Sequence, residues 1–263
     1  MQPMGWHILA TGRGPESLLA IDFDVTQARG SAGFGDLASL LPDRYTVLGV
    51  DPLAWPPDGP RVDRVAAWLE LVERLPAGTV GILAYCAGGS LACTAARHLA
   101  ESGRSQPAVV LFDPTRVGPS TLTHQFGLAV DNLAANLTKD EREGAMAGVA
   151  EDAATTLDDL ARELSERYGN LVTRACDRMG IKSAFAQELS DRVRRYLRYL
   201  ALAGAVELDI TGLRAHVLRS SGDPGELATA DTEAGFPVAQ EKLLRQQGVA
   251  DTITRLLTVE SPV

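Results

Sequence analysis

Short apolar runs alternate with amphipathic stretches between Ser17 and Pro114. Apolar runs of about four to eight residues are typical of strands buried on both faces of a sheet, and amphipathic stretches are typical of surface helices. The alternation is the pattern of βαβ units and predicts a parallel sheet. The predicted strands are 17–23, 46–50, 79–85 and 107–112, and the predicted helices are 34–42, 61–75 and 88–102.

After Asp113 the pattern changes to about ninety residues with helical periodicity, many acidic residues and almost no β-branched runs. This segment, roughly 118–205, predicts a helical insertion in an α/β fold. We interpret the chain as one domain, because no low-complexity linker separates the insertion from the rest. The predicted parts are a core of 1–117 and 206–263, a helical lid of about 118–205 with helices at 138–168 and 183–204, a strand at 213–219 and a closing helix at 238–257.

The charge of the chain limits its partners. A formal net charge of −9 disfavours nucleic acid and anionic membranes. The longest apolar runs, such as 107–112, fall far short of the roughly 20 residues that span a bilayer, so we expect a cytoplasmic protein with no membrane partner. An acidic partner requires a local basic patch. The arginine-rich segment 191–198 either forms one or is a solvated helix face with internal ion pairs.

Three cysteines, Cys86, Cys93 and Cys176, are present. Their odd number and irregular spacing argue against a disulfide framework and against a zinc site, so we expect no metal. Any special cysteine is therefore expected to act as a thiol.

Cys86 lies in the segment G-I-L-A-Y-C-A-G-G, where a predicted strand passes through a tight turn into a helix. The segment resembles the G-x-S-x-G turn of α/β-hydrolases, with cysteine in place of serine and Ala84 in place of the first glycine. A helix N-terminus favours a thiolate, and the backbone N–H of Ala87 is positioned to bind an oxyanion. The alternative is that Cys86 is a buried small apolar residue.

The segment L-L-A-I-D-F…G-S-A-G-F-G-D-L-A-S-L-L-P-D-R-Y-T-V-L-G-V-D, residues 18–51, resembles the opening of thioesterase domains from nonribosomal peptide and polyketide synthases. The resemblance implies an α/β-hydrolase fold, with a mostly parallel central sheet, helices on both faces and a large helical lid. It also implies a role in natural-product biosynthesis with an acyl or peptidyl carrier protein as partner. No bound cofactor is implied, since the substrate is carried on a phosphopantetheine arm.

The resemblance also implies site residues. The family's acid follows the strand after the nucleophile, and Asp113 lies 27 residues beyond Cys86, close to the family's spacing. Asp223 is a second candidate, and either aspartate is alternatively a turn residue that bonds its own backbone. Gln27 aligns with the second oxyanion N–H, although the loop around it departs from the family's H-P-x-G-G. Tyr85 is placed beside the substrate.

The family's general base lies in a G-x-H-F-type segment before the last helix, where this chain has E-A-G-F and Gly235 takes the histidine's place. Of the four histidines, His124 at the start of the lid is the best candidate to replace it, and His216 is next. His7 and His98 are expected to be structural or solvated.

Loss of the histidine changes the expected chemistry. A cysteine has a few per cent thiolate at neutral pH without a base, whereas hydrolysis requires an activated water. The sequence therefore favours acyl or aminoacyl transfer through a Cys86 thioester over hydrolysis. Two alternatives remain: a non-catalytic binding protein that kept the fold, and an ester hydrolase that uses His124 as its base.

Overall fold

The computed structural model describes residues 5–23, 32–50, 63–148, 156–222 and 230–258. Within these ranges seven strands form one sheet in the order β1-β3-β2-β4-β5-β6-β7. β1 is antiparallel to β3, and every other neighbouring pair is parallel. The predicted mostly parallel α/β sheet is confirmed. The strands are β1 Trp6–Ala10, β2 Glu16–Ile21, β3 Tyr45–Val50, β4 Thr79–Tyr85, β5 Ala108–Phe112, β6 Ala215–Arg219 and β7 Thr232–Gly235.

Eight α-helices and three 3₁₀ turns occur in the described residues. None of these helices is long and apolar enough to cross a membrane. The helices are α1 Phe34–Leu40, α2 Arg64–Glu73, α3 Gly89–Glu101, α4 Pro119–Asp131, α5 Lys139–Met146, α6 Leu157–Met179, α7 Ser183–Ala205 and α8 Gln247–Thr258; the 3₁₀ turns are Cys86–Gly88, Ala134–Asn136 and Gln240–Arg245.

The chain divides into two compact units. The core unit, Met1–Arg116 and Val206–Val263, contains the sheet, and the helical unit, Val117–Ala205, contains α4 to α7. That the two units make up a single domain stays a prediction.

Helices cover both faces of the sheet in the core unit. On one face, α1 and α8 pack in a common cluster with inward side chains of the strands, among them Leu83, Val110 and Leu218. Side chains alternate between the two faces of a strand, so Leu111 lies on the opposite face, where it packs near Gly89 at the start of α3. α2 joins α3 on that side, since the Trp68 indole N–H donates to the Leu91 carbonyl at 3.2 Å.

The predicted helix at 138–168 is wrong. α5 stops at Met146, and Gly148 has a left-handed φ of 65°, a conformation that glycine adopts readily and that interrupts a helix. α6 then begins after Thr156, whose hydroxyl accepts from the Asp159 N–H at 3.1 Å, and continues to Met179. Periodicity alone missed this interruption because both segments have helical patterns.

Other differences concern the ends of the sheet. β1 and β7 were not predicted, because these edge strands are only five and four residues long. α4 lies in the segment predicted as helical but was not predicted as a separate helix. The predicted closing helix at 238–257 is a 3₁₀ turn followed by α8. In the helix predicted at 61–75, α2 begins after Asp63, whose carboxylate accepts from two backbone N–H groups at 3.0 Å; residues 61–62 lie outside the described residues.

Candidate active site

Cys86 stands at the point where β4 ends and the chain turns into α3. Its φ is 51°, in the left-handed region that non-glycine residues rarely adopt. Residues Cys86–Gly88 form one 3₁₀ turn, and α3 begins directly after it at Gly89. Such a strained strand-to-helix turn raises the side chain above the carboxyl edge of the sheet.

Close packing beneath the turn explains its small residues. Ala84 is completely buried, and Gly88 is buried as well. A Cβ at Gly89 would lie only 3.1 Å from Leu208 Cδ1 and 3.5 Å from Pro114 Cβ. A larger residue at this position would crowd the side chains of Leu208 and Pro114.

Backbone hydrogen bonds hold the turn in place. The Cys86 carbonyl accepts from the N–H of Gly89 and from the N–H of Thr115, the latter at 3.3 Å. The second bond joins the turn to the segment that follows β5. Thr115 was not singled out from the sequence, and its position two residues after Asp113 is the only signal that points to it.

The three cysteines differ in exposure. Cys86 is partly exposed, whereas Cys93 and Cys176 are buried. Burial raises the pKa of the Cys93 thiol to about 12, so this thiol is protonated at neutral pH. Cys86 is therefore the accessible thiol of the chain.

Asp113 follows β5 directly and is 2% exposed. Its φ is 42°, so it has the same unusual backbone conformation as Cys86. Its Oδ1 accepts from the Ser220 N–H at 2.8 Å, and its own N–H donates to the Leu218 carbonyl at 3.1 Å. These bonds fix a buried carboxyl group at the carboxyl edge of the sheet, between β5 and β6.

The strand register places these positions in one row. Tyr85 pairs with Phe112, Phe112 with Leu218, and Leu218 with Ala234. The next position on each strand is then Cys86, Asp113, Arg219 and Gly235, in that order. Adjacent strands lie about 4.8 Å apart, so the backbone of Asp113 is next to that of Cys86, and Gly235 is two strands beyond Asp113.

Arg219 and Glu233 connect the last two strands of the row. Arg219 is 7% exposed, and its Nε donates to Glu233 Oε1 at 2.6 Å. The Arg219 carbonyl accepts from the Phe236 N–H at 2.7 Å. Sequence reasoning missed Arg219 and Ser220, although both lie at the end of the strand predicted at 213–219.

The other residues predicted for the site are Ala87, Tyr85, Gln27 and Asp223. The N–H of Ala87 lies in the first turn after the strand, where N–H groups point out of the helix end. Tyr85 is turned into the core, and its hydroxyl donates to the Gln240 carbonyl at 3.1 Å. Gln27 and Asp223 lie outside the described residues. The roles proposed for all four residues stay predictions.

All four histidines are among the described residues, and three belong to the core unit. His216 lies three residues before the end of β6, roughly 10 Å below the carboxyl edge. His7 is on β1, three strands from β4. His98 lies far along α3, with its Nε2 3.1 Å from Glu73 Oε1. None of these three stands in the row of Cys86 and Asp113.

His124 lies on α4 in the helical unit. Its recruitment to the site of Cys86 stays a prediction. Within the described ranges, no group of three His, Cys, Asp or Glu side chains is arranged to hold a metal ion.

Several solved structures are similar to this chain over almost its whole length. A NocB thioesterase domain bound covalently to a fluorophosphonate nocardicin G analogue has 20% identity and a TM-score of 0.54, covering 96% of this chain and 99% of its own. The thioesterase domain SrfTE, described for cyclization of the lipopeptide antibiotic surfactin, has 16% identity and a TM-score of 0.52, covering 98% and 97%. At these identities the similarity establishes the α/β-hydrolase type of fold.

A third similar structure is larger. The four-domain nonribosomal peptide synthetase AB3403, bound to AMP and glycine, has 13% identity and a TM-score of 0.59; the match covers 97% of this chain and 20% of the synthetase. No family model matches the sequence, and no curated protein matches it.

Proposed function

We propose that this chain is a thioesterase-like enzyme that accepts an acyl or aminoacyl group from a carrier-protein thioester onto Cys86. The observation that carries the proposal is the strained, partly exposed Cys86 at the N-terminus of α3, with the buried Asp113 next to it. Strained backbone conformations persist where the surrounding structure holds them, and they cluster at active sites. The thioesterase domains with similar folds support the same reaction class.

In the first step the Cys86 thiolate attacks the carbonyl carbon of the incoming thioester. The carbonyl oxygen becomes an oxyanion, for which the Ala87 N–H is the proposed donor. The intermediate collapses when the bond to the carrier's sulfur breaks. That sulfur leaves as a thiolate and takes a proton from solvent, and the acyl group remains on Cys86 as a thioester.

In the second step an acceptor attacks the Cys86 thioester and releases the Cys86 thiolate. A thiol or amine acceptor is itself a good nucleophile, whereas water requires a base. None of the three histidines of the core unit stands at the site edge, which supports transfer over hydrolysis. The natural-product setting, the carrier-protein partner and the phosphopantetheine arm belong to the same proposal.

Asp113 has a proposed positioning role. Its Oδ1 accepts from the N–H of Ser220, the residue that follows β6, and this bond holds the orientation of the carboxyl group. The group is buried beside the Cys86 turn, so its proposed effect is to position the backbone of that turn rather than to contact the acceptor. A role for Asp223 instead would leave Asp113 as a structural residue.

A non-catalytic binding protein is the second candidate. Two observations favour this candidate. Among the described residues of the core unit, no histidine stands at the carboxyl edge of the sheet beside Cys86, and Ala84 replaces the first glycine of the turn. The accessible thiol and its strained turn oppose it, since a protein without chemistry at Cys86 gains nothing from a backbone strain of about 1–3 kcal/mol.

The decisive experiment is intact-protein mass spectrometry after mixing the chain with acyl-loaded carrier protein. We expect wild type to gain the acyl mass and Cys86→Ala to gain none, while Cys93→Ala behaves as wild type because Cys93 is buried. The lifetime of the adduct then separates transfer from hydrolysis. If several acyl groups give neither adduct nor turnover, the enzyme proposal is wrong and the binding-protein candidate stands.

A further inference from the structure

Three large apolar side chains are exposed at the turn between α6 and α7 in the helical unit. The exposed fraction is 44% for Met179, 37% for Ile181 and 53% for Phe185. Every residue from 177 to 185 is exposed. Single exposed apolar residues are ordinary on a soluble protein, whereas several of them within one short turn indicate a surface that binds something.

Backbone hydrogen bonds, rather than these side chains, hold the turn. Gly180 ends α6 with a left-handed φ of 64°. The Ile181 N–H donates to the Cys176 carbonyl at 2.9 Å. The Phe185 N–H donates to the Lys182 carbonyl at 3.0 Å. This is the usual glycine-terminated end of a helix, so the exposed side chains are available for an external contact without loss of the turn.

Two charged side chains of the turn stand at the helix ends that disfavour them. Asp177 is in the last turn of α6, where the helix dipole favours a cation, and Lys182 directly precedes α7, where the dipole favours an anion. Neither side chain forms an ion pair with another described residue. Helix stability therefore does not explain why an anion and a cation lie beside the same apolar side chains.

The local charge permits two copies of the chain to approach each other at this turn. The chain as a whole carries a net charge of −9, which disfavours self-association in general. Residues 174–185, however, contain one acidic and three basic residues. One of the basic residues, Arg178, pairs with Glu141 of α5 at 2.6 Å. The turn therefore has no excess of acid.

A surface that carries both signs of charge beside an apolar centre can match a second copy of itself around a two-fold axis, because each copy supplies the charge that the other lacks. We propose that two copies of this chain associate through the α6–α7 turn. Met179, Ile181 and Phe185 of one copy pack against those of the other. The Lys182 ammonium of each copy donates to the Asp177 carboxylate of the other.

The proposed dimer is weak. Stable interfaces bury about 800 Å² on each partner, which is more than three partly exposed side chains and their charged neighbours provide. We expect a dissociation constant between about 1 μM and about 1 mM, so that the dimer forms in concentrated solution and dissociates on dilution.

Sedimentation velocity of the full chain between about 1 μM and about 1 mM tests the proposal, and we expect wild type to shift from monomer to dimer. Phe185→Ser removes the most exposed of the three apolar side chains and should raise the dissociation constant about tenfold or more, since the loss occurs in both copies. Leu128→Ser is the matched control, because Leu128 is 45% exposed on α4, outside the turn, and should leave the dissociation constant unchanged.

Exchange of the two charges tests the two-fold arrangement. Asp177→Lys or Lys182→Asp alone places like charges opposite each other and should weaken the dimer about threefold or more. The double variant restores opposite charges and should associate within about twofold of wild type. Each substitution suits its helix end better than the original residue does, so we expect all three variants to fold, and circular dichroism verifies this.

Four results would overturn the proposal. They are a wild type that stays monomeric up to about 1 mM, an equal effect of Leu128→Ser and Phe185→Ser, a double variant that associates no better than the single variants, and a monomeric chain whose cosedimentation with phosphatidylcholine vesicles is abolished by Phe185→Ser. In the last case the turn contacts a lipid surface instead of a second copy. The proposed dimer does not involve Cys86, so these outcomes are independent of the proposed reaction.

Discussion

Cys86 and Asp113 take up equivalent positions at the ends of the neighbouring parallel strands β4 and β5, and both have a left-handed φ, of 51° and 42°. Two non-glycine residues with this conformation in adjacent positions store strain in one small region, at a cost of about 1–3 kcal/mol each. Hydrogen bonds from Thr115 to Cys86 and from Ser220 to Asp113 hold the two turns.

Two replacements of Asp113 distinguish the effect of its charge on stability from the effect of its hydrogen bond with Ser220. In Asp113→Asn the amide oxygen still accepts from the Ser220 N–H, and asparagine tolerates a positive φ, so we expect a free energy of unfolding within about 1 kcal/mol of wild type. Asp113→Ala leaves that buried N–H without its acceptor and should lower the free energy of unfolding by about 1–3 kcal/mol. Urea denaturation measures both. Equal values for the two variants would show that the bond is unimportant.

Alkylation should distinguish the three thiols. We expect iodoacetamide at about neutral pH to modify Cys86 first, because Cys86 is the partly exposed cysteine. A shift of the Cys93 pKa from 9.0 to about 12 lowers its thiolate fraction by about 10³, and burial also blocks access. Peptide mass spectrometry over time identifies the modified residue. Early modification of Cys93 or Cys176, in wild type or in Cys86→Ala, would contradict the structure around α3 and α6.

Gly235→His tests whether this position corresponds to the family's histidine. A Cβ at Gly235 has no neighbour within 4 Å, so the strand should accept the side chain. If an imidazole there acts as a base on water, the lifetime of the acyl-Cys86 adduct should fall about tenfold or more. Gly235→Gln is the control, since its side chain is of similar size and has no basic nitrogen. An unchanged lifetime in a folded Gly235→His variant would show that Gly235 is not the corresponding position.

The Glu141–Arg178 pair should make the free energy of unfolding of the helical unit fall at acidic pH. Side-chain hydrogen bonds from Arg178, followed by the Thr138 N–H, lower the pKa of Glu141 from 4.5 to about 2. The folded-state pKa is depressed, so the stabilisation is present above about pH 4.5 and is lost as the pH falls toward about 2. Unfolding measured across this range should be less pH-dependent in Glu141→Gln. Glu143→Gln, on the same helix, is the control, and an equal effect of both substitutions would argue against the pair.

The amino-acid sequence alone predicted the central strands and the tight turn at Cys86, because each is formed by a run of contiguous residues. The run 79–85 is apolar and short, and the small residues after Cys86 leave room for a tight turn. Asp113 was also placed correctly after its strand. What local patterns did not predict were the edge strands β1 and β7 and the break between α5 and α6, since tertiary contacts and a single glycine conformation decide them.

The arrangement of the site was decided by the tertiary structure. Ser220 is 107 positions from Asp113, yet its N–H fixes the carboxyl group. Arg219 and Gly235 join the row of Cys86 only because β6 and β7 pair beside β5 in one register. The sequence determined which residues stand at strand ends, through local hydrophobic pattern and turn chemistry. Which strand ends become neighbours depends on the order and register of the sheet, and these arise from backbone hydrogen bonds between segments far apart in the chain.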